Sequence, residues 1–190
     1  MIETKTMIVD KTGRNSMIMP LNSFLMQNGS LSLFQKILLA TDGTVTDLLR
    51  LYTGEAIKVK KLEQEFTSSG EEEVLICSPK TRILRRNILL NGKNKNYVYA
   101  ASIYIYELLS SGIQAKLAET DMPIGLLWKE EKLDTYREII GYWTEPCEAL
   151  AHYFDILPQT LLLCRTYLVS HRKNVIGKIT EKFPITFFKD

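Results

Sequence analysis

Twice in this sequence a β-forming apolar run breaks at a short polar turn and then resumes, and that pattern constrains the fold more than any other. Residues 83–90 are strand-like, Asn91-Gly92-Lys93-Asn94-Lys95-Asn96 supplies the turn, and residues 97–105 return with many β-branched and aromatic side chains. Residues 161–169 and 175–183 repeat the arrangement around a basic turn at residues 170–174. Two such hairpins call for an antiparallel sheet whose apolar face needs a covering layer.

The remaining segments supply that layer. Ser30 precedes a helix over residues 33–39, and Thr44 or Thr46 caps a second one running to Tyr52, with Gly54 placed to stop it. From residue 56 the period changes, and Ile57 and Val59 alternate with Lys58 and Lys60 as in a half-buried strand. A polar loop with an acidic run covers residues 67–73, and a helix is predicted over residues 107–117. Residues 121–125 form a loop that leads into a short apolar turn. Residues 133–143 fit strand or helix and are read as strand, while Pro146 opens a helix through Phe154. Residues 1–30 are weakly periodic, with Pro20 and Asn28-Gly29 as breakers, and read as an irregular lead-in. The expectation is one α+β domain over residues 31–190, an antiparallel sheet of about six strands flanked by helices.

Alternation along a strand tells which side chains share a face. Leu84, Arg86, Ile88 and Leu90 share one, with Arg86 its only charge. Leu161, Leu163, Arg165, Tyr167 and Val169 share another, again with a single arginine. Val175, Gly177, Ile179, Glu181 and Phe183 line up opposite Lys178, Thr180 and Lys182, so Glu181 is a third inward charge. An unpaired buried ion costs roughly several kcal/mol, so each needs a partner. Glu181 neutralises one arginine. The other is left over, and a forked guanidinium in an apolar pocket suits a carboxylate or phosphate.

Composition narrows the classes. The chain has 190 residues, enough for one domain with its own core. Its 24 Lys and Arg against 22 Asp and Glu give +2, too balanced for general nucleic-acid binding, although Arg82, Arg85, Lys58, Lys60 and Lys61 could form a local basic patch. Three widely spaced cysteines form no CxxC and suit a reducing compartment, and two histidines exclude chemistry built on several imidazoles. No apolar run approaches the roughly 18 residues of a membrane span, and Glu3, Lys5 and Asp10 interrupt any secretory signal. A soluble cytoplasmic protein is expected, with no membrane and no nucleic-acid partner.

At the inward charges the sequence resembles the chorismate lyase (chorismate pyruvate-lyase) family, in its longer branch from archaea, mycobacteria, cyanobacteria and algal plastids. The pieces are Ala40-Thr41-Asp42-Gly43-Thr44-Val45-Thr46, Arg86-Asn87-Ile88-Leu89-Leu90-Asn91-Gly92, Ala100-Ala101-Ser102-Ile103, Met122-Pro123-Ile124-Gly125, Arg165-Thr166-Tyr167-Leu168-Val169 and Ile179-Thr180-Glu181-Lys182-Phe183-Pro184, in the family's order. The resemblance implies an antiparallel sheet with helical flaps over an internal pocket. It also implies cofactor-free, metal-free conversion of chorismate to 4-hydroxybenzoate and pyruvate, for quinone or phenolic precursors. Arg86 then matches the carboxylate-binding arginine and Glu181 the acid at the ring hydroxyl. Backbone groups around Val45-Thr46 and Ile124-Gly125 match those that help bind the carboxylate; the shorter, ubiquinone-type members carry methionine at the position of Val45. Arg165 is expected to hold the enolpyruvyl carboxylate or to balance Glu181.

Other residues draw plainer readings. Ser102 and Tyr104 share a face with Ala100, and Ser102 is a candidate pocket hydroxyl. Arg137 and Glu138 read as a surface or strand-edge pair, with service at the site as the alternative, Trp128 as a flap or core anchor, His152 and His171 as exposed bystanders, and Cys164 as a small core residue. The competing function is a non-catalytic sensor for small aromatic carboxylates, since the same fold serves as the effector domain of certain bacterial transcription regulators. Residues 1–30 are too short and too poorly periodic for the helix-turn-helix that such a regulator carries.

Overall fold

The computed structural model describes residues 7–9, 15–17, 19–70, 77–120 and 122–189. In chain order these form β1 (Met7–Val9), β2 (Asn15–Met17), α1 (Leu21–Gln27), α2 (Leu33–Ala40), α3 (Val45–Thr53), β3 (Lys58–Ser68), β4 (Arg82–Asn91) and β5 (Asn96–Ile105). There follow α4 (Ser111–Glu119), α5 (Ile124–Glu130), β6 (Tyr136–Pro146), α6 (Ala151–Phe154), β7 (Leu161–His171) and β8 (Asn174–Pro184). Apart from the small β1–β2 ladder, the strands make one antiparallel sheet in the order β3-β4-β5-β8-β7-β6. The α+β class and the six strands agree with the sequence reading.

Both hairpins form. The β7–β8 turn is tighter than the expected five residues, because Arg172 and Lys173 both take left-handed backbone angles (φ 49° and 67°) and close it in two. The second hairpin strand β8 then docks against β5, which makes the two hairpins one continuous surface.

The helices pack over one face in two groups. Leu38, Leu39 and Leu49 of α2 and α3 join Leu90, Val98, Leu163 and Phe183 in one buried cluster, while Ile113, Leu117, Leu127 and Trp128 of α4 and α5 join Leu84, Tyr104 and Val169 in another. Ser32 caps α2 reciprocally with Gln35, whose amide also donates to the Ile185 and Phe187 carbonyls at 2.8 and 2.7 Å and ties the chain's end to this layer. Gly54 ends α3 in the left-handed conformation, as its place after the helix predicts. No helix among the described residues is long and apolar enough to cross a membrane.

Several local expectations are corrected. The lead-in is not irregular throughout: α1 buries Phe24, and Met19 bridges Tyr142 of β6. Ser32, not Ser30, caps α2. The helix over residues 107–117 is divided by Ser110, whose hydroxyl caps α4 after a 3-10 turn at Tyr106–Leu108. Pro146 starts no helix; it ends β6, an edge strand where a missing N–H is tolerated. Of residues 133–143, those from Tyr136 onward form strand, as the first part of β6, and residues 133–135 lead into it. The acidic run at residues 71–73 lies outside the described residues.

Gly177 of β8 has a steric role on the helix-covered face. A Cβ there would sit 2.6 Å from both the Ile103 carbonyl and the Tyr104 ring, so only glycine lets that ring lie flat on the sheet. Gly177→Ala is expected to lower the unfolding free energy by about 1–3 kcal/mol, read by urea denaturation, with native secondary structure retained by circular dichroism.

Candidate active site

Strand pairing places the candidate residues on adjoining rungs of the sheet. Along one rung Arg86 faces Ser102, Ser102 faces Ile179 and Ile179 faces Tyr167. On the next, Ile88, Ala100, Glu181 and Arg165 follow one another. On the other side of the first, Leu84 faces Tyr104, Tyr104 faces Gly177, Gly177 faces Val169 and Val169 faces Arg137. These rungs floor a cavity of about 560 Å3, its open mouth included. Its roof comes from Gly43 to Thr46 at the start of α3 and from Pro123 to Gly125 with Trp128 in α5.

All three inward charges are buried on this face: Arg86 is 2%, Arg165 1% and Glu181 7% exposed. They do not play equivalent parts. Arg165 does not line the cavity. Its Nε donates to Glu181 Oε2 at 2.7 Å, its Nη1 to the Leu39 and Thr41 carbonyls at 3.1 and 2.6 Å, and its Cζ lies 5.3 Å from the Tyr167 ring centre. Burial alone would lower its pKa, and Glu181 beside it more than reverses that, so the group is held charged. Of its two expected parts, the geometry supports the second: Arg165 is paired with Glu181 and is not among the residues that line the cavity.

Glu181 reaches the cavity from above this pair. Its second oxygen, Oε1, accepts from the Tyr167 hydroxyl at 3.1 Å. Two donors from β7 therefore fix the carboxylate, while its outer side faces the cavity. Burial, reinforced by Glu181, holds the Tyr167 phenol well above its usual range, and burial pushes Tyr104 up to about 12. Both remain neutral donors through the physiological range.

Arg86 reaches the cavity from the other side of Ser102. Its Nη1 and Nη2 donate to the Met122 carbonyl at 3.2 and 3.3 Å, which brings the loop before α5 down onto β4. Ser102 lines the cavity as expected, but its hydroxyl donates to the Arg86 carbonyl at 3.0 Å. Val45, Thr46, Ile124 and Gly125 all line the roof. Each pair begins a helix, where main-chain N–H groups have no intrahelical acceptor and favour negative charge.

Two further residues line the cavity beyond the site set expected from the sequence. Arg137, taken for a surface or strand-edge residue, lines the cavity and lies over the Trp128 and Tyr167 rings, its Cζ 5.8 and 6.0 Å from their centres. Trp128, read as a flap or core anchor, is 2% exposed and both packs in the core and lines the cavity. Tyr167 was visible only as a member of an apolar face. Neither histidine lines the cavity, and Cys164 is fully buried with burial pushing its thiol well up. Among the described residues no three His, Cys, Asp or Glu side chains cluster as metal ligands would.

Removing one partner of the buried pair leaves the other uncompensated. Arg165→Met is expected to destabilise the fold by about 3–5 kcal/mol, and Arg165→Met with Glu181→Leu to recover part of that loss, measured by urea denaturation at neutral pH.

Comparison with known proteins follows this geometry. The family model of Rv2949c-like chorismate pyruvate-lyases matches residues 39–189, which contain every candidate residue named above. The chorismate pyruvate-lyase of Mycobacterium leprae is 30% identical over 160 residues, covering 82% of this chain and 76% of that protein. That of Mycobacterium tuberculosis H37Rv is 25% identical over 168 residues, covering 82% and 81%. Among solved structures, the effector domain of PhnF from Mycobacterium smegmatis superposes with a TM-score of 0.59 at 11% identity, over 75% of this chain and 88% of that one. That likeness shows a shared fold.

Proposed function

The chain belongs to the Rv2949c-like chorismate pyruvate-lyase family, and from that membership we propose that it eliminates pyruvate from chorismate to give 4-hydroxybenzoate. The observation that carries the reading is the juxtaposition of Arg86 and Glu181 on one cavity floor, two strands apart, with neutral tyrosine donors between and beside them. Chorismate carries a ring carboxylate, a ring hydroxyl and an enolpyruvyl ether with its own carboxylate. The proton on the hydroxyl-bearing carbon leaves, the neighbouring ether C–O bond breaks, and the departing enolpyruvate takes up a proton to become pyruvate. Aromatisation makes the overall change favourable, so the protein has only to lower the barrier by orientation and electrostatics.

In this scheme Arg86 pairs with the ring carboxylate, helped by the main-chain N–H groups of Val45, Thr46, Ile124 and Gly125 at the roof. Glu181 accepts from the ring hydroxyl, which holds the adjacent C–H over the carboxylate and gives its proton an acceptor. Arg165 is a positioning residue for Glu181: it offsets the carboxylate's charge and fixes its orientation. Tyr167 leaves Glu181 only its cavity-facing lone pairs. The apolar walls, Ile88, Leu90, Ala100 and Ile179, limit water and strengthen each of these interactions.

Incubation of near-stoichiometric protein with chorismate and a chelator, followed by denaturation and chromatography, is expected to yield equal amounts of 4-hydroxybenzoate and pyruvate above the spontaneous background. Tight binding of chorismate and 4-hydroxybenzoate by calorimetry with no turnover would replace the lyase reading by that of a sensor. Arg86→Ala is expected to lose turnover on the order of a thousandfold while circular dichroism remains native. Near-normal turnover in that variant would remove Arg86 from the site.

A further inference from the structure

The charges at the cavity do not balance the substrate through Arg86 alone. Arg165 and Glu181 cancel each other, which leaves Arg86 as a single positive charge facing a ligand with two carboxylates. Arg137 is the other cation among the described lining residues. It stands on β6, four strands away from Arg86 on β4, or about 19 Å along the sheet at the usual strand spacing. The two arginines therefore address a ligand from opposite ends.

The environment of Arg137 is that of an incomplete anion site. Its Nη1 donates to the Asp42 carbonyl, which orients the fork, and the rings of Trp128 and Tyr167 hold the guanidinium plane. Its Nε is buried and meets no acceptor, and Trp128 Nε1, on the same wall, is likewise buried without one. Buried donors of this kind are uncommon in native structures and mark places where a ligand supplies the missing oxygen. Gly125 stands beside the fork: a Cβ there would lie 3.7 Å from Arg137 Nη2 and 3.5 Å from Thr44 Cγ2, both ordinary contact distances.

A second cavity adjoins this wall. Thr44, Gly125, Trp128 and Arg137 line both, and Lys129 and Lys132 line the second alone. Lys129 is paired with Asp47, so Arg137 and Lys132 against Asp42 leave the described lining with a net positive charge. A three-carbon carboxylate held at the wall would have this cationic space beside it.

We propose that Arg137, through its Nε edge and with Trp128 Nε1, binds the enolpyruvyl carboxylate of the substrate, and that the adjoining cavity receives the pyruvate fragment. The inference rests on the lyase reading. It adds a second carboxylate site and places the two products on opposite sides of the Gly125–Arg137 wall.

The test separates the two carboxylates by ligand. Arg137→Gln is expected to lower kcat/KM for chorismate about a hundredfold, with a raised KM, while the Kd for 4-hydroxybenzoate stays within about twofold of wild type. Arg137→Lys is expected to recover part of the KM, because it restores the charge without the fork. Pyruvate is expected to inhibit the wild-type protein competitively against chorismate and to inhibit Arg137→Gln far less. Unchanged chorismate kinetics in Arg137→Gln, or equal weakening of chorismate and 4-hydroxybenzoate, would overturn the assignment. Failure of the wild-type protein to turn chorismate over is a different result, and it would instead remove the lyase reading on which the assignment rests.

Discussion

The buried ion pair between Arg165 and Glu181 organises the structure around the cavity. Two charges taken out of water are costly, and this pair offsets that cost with hydrogen bonds from Arg165 Nε and Nη1 and to both oxygens of Glu181. Arg165 spends Nε on Glu181 and Nη1 on two carbonyls at the end of α2, and its face rests on Tyr167. The carbonyls at a helix C-terminus lack intrahelical donors and carry negative potential, so a guanidinium there is stabilising for the helix as well. One side chain thereby fixes an acid on β8, the end of α2 and, through Thr41, the segment that leads into α3. That segment is part of the cavity roof. The position of the floor's carboxylate and the position of the roof's main-chain N–H groups are consequences of the same contacts.

How much of this was legible in the sequence depends on which physical rule was needed. Period-two alternation sufficed to turn Arg86, Arg165 and Glu181 to one face, because that is a property of each strand by itself. It did not separate the two arginines. Their difference comes from cross-strand register: Arg165 stands directly opposite Glu181 on the neighbouring strand, whereas Arg86 stands opposite Ser102. Register between distant strands is set by turn geometry and by the whole sheet, and the two-residue turn at Arg172-Lys173 was itself read as longer.

Arg137 reads first as an edge residue for a more specific reason. The β6–β7 ladder shifts register between Ile139 and Gly141. Before the shift, Arg137 and Ile139 share the cavity face; after it, Tyr142 does, opposite Arg165. A uniform alternation cannot turn both Arg137 and Tyr142 inward, because they differ by an odd number of residues. Bulges are local features with weak sequence signals, and here Gly141 is the only hint of one. The lead-in misled for the opposite reason. α1 has seven residues and buries only Phe24 among them, too little apolar periodicity to be recognised.

The cavity's charge arrangement also bears on how an elimination would be driven there. A single cation holding both carboxylates of a dianion would draw them together, whereas two arginines on strands four apart would hold the ligand extended with its reacting carbons between them. Glu181, on β8, stands between those strands, two from each. A proton acceptor under the middle of the ligand and cations at both ends match the direction in which charge moves when a C–H proton leaves and negative charge passes to the departing enolpyruvate. Arg165 keeps Glu181 from adding repulsion to the ligand's own two charges, and the high pKa values of Tyr104 and Tyr167 keep the rest of the floor neutral. With the donors already oriented by packing, little reorganisation is needed as that charge develops.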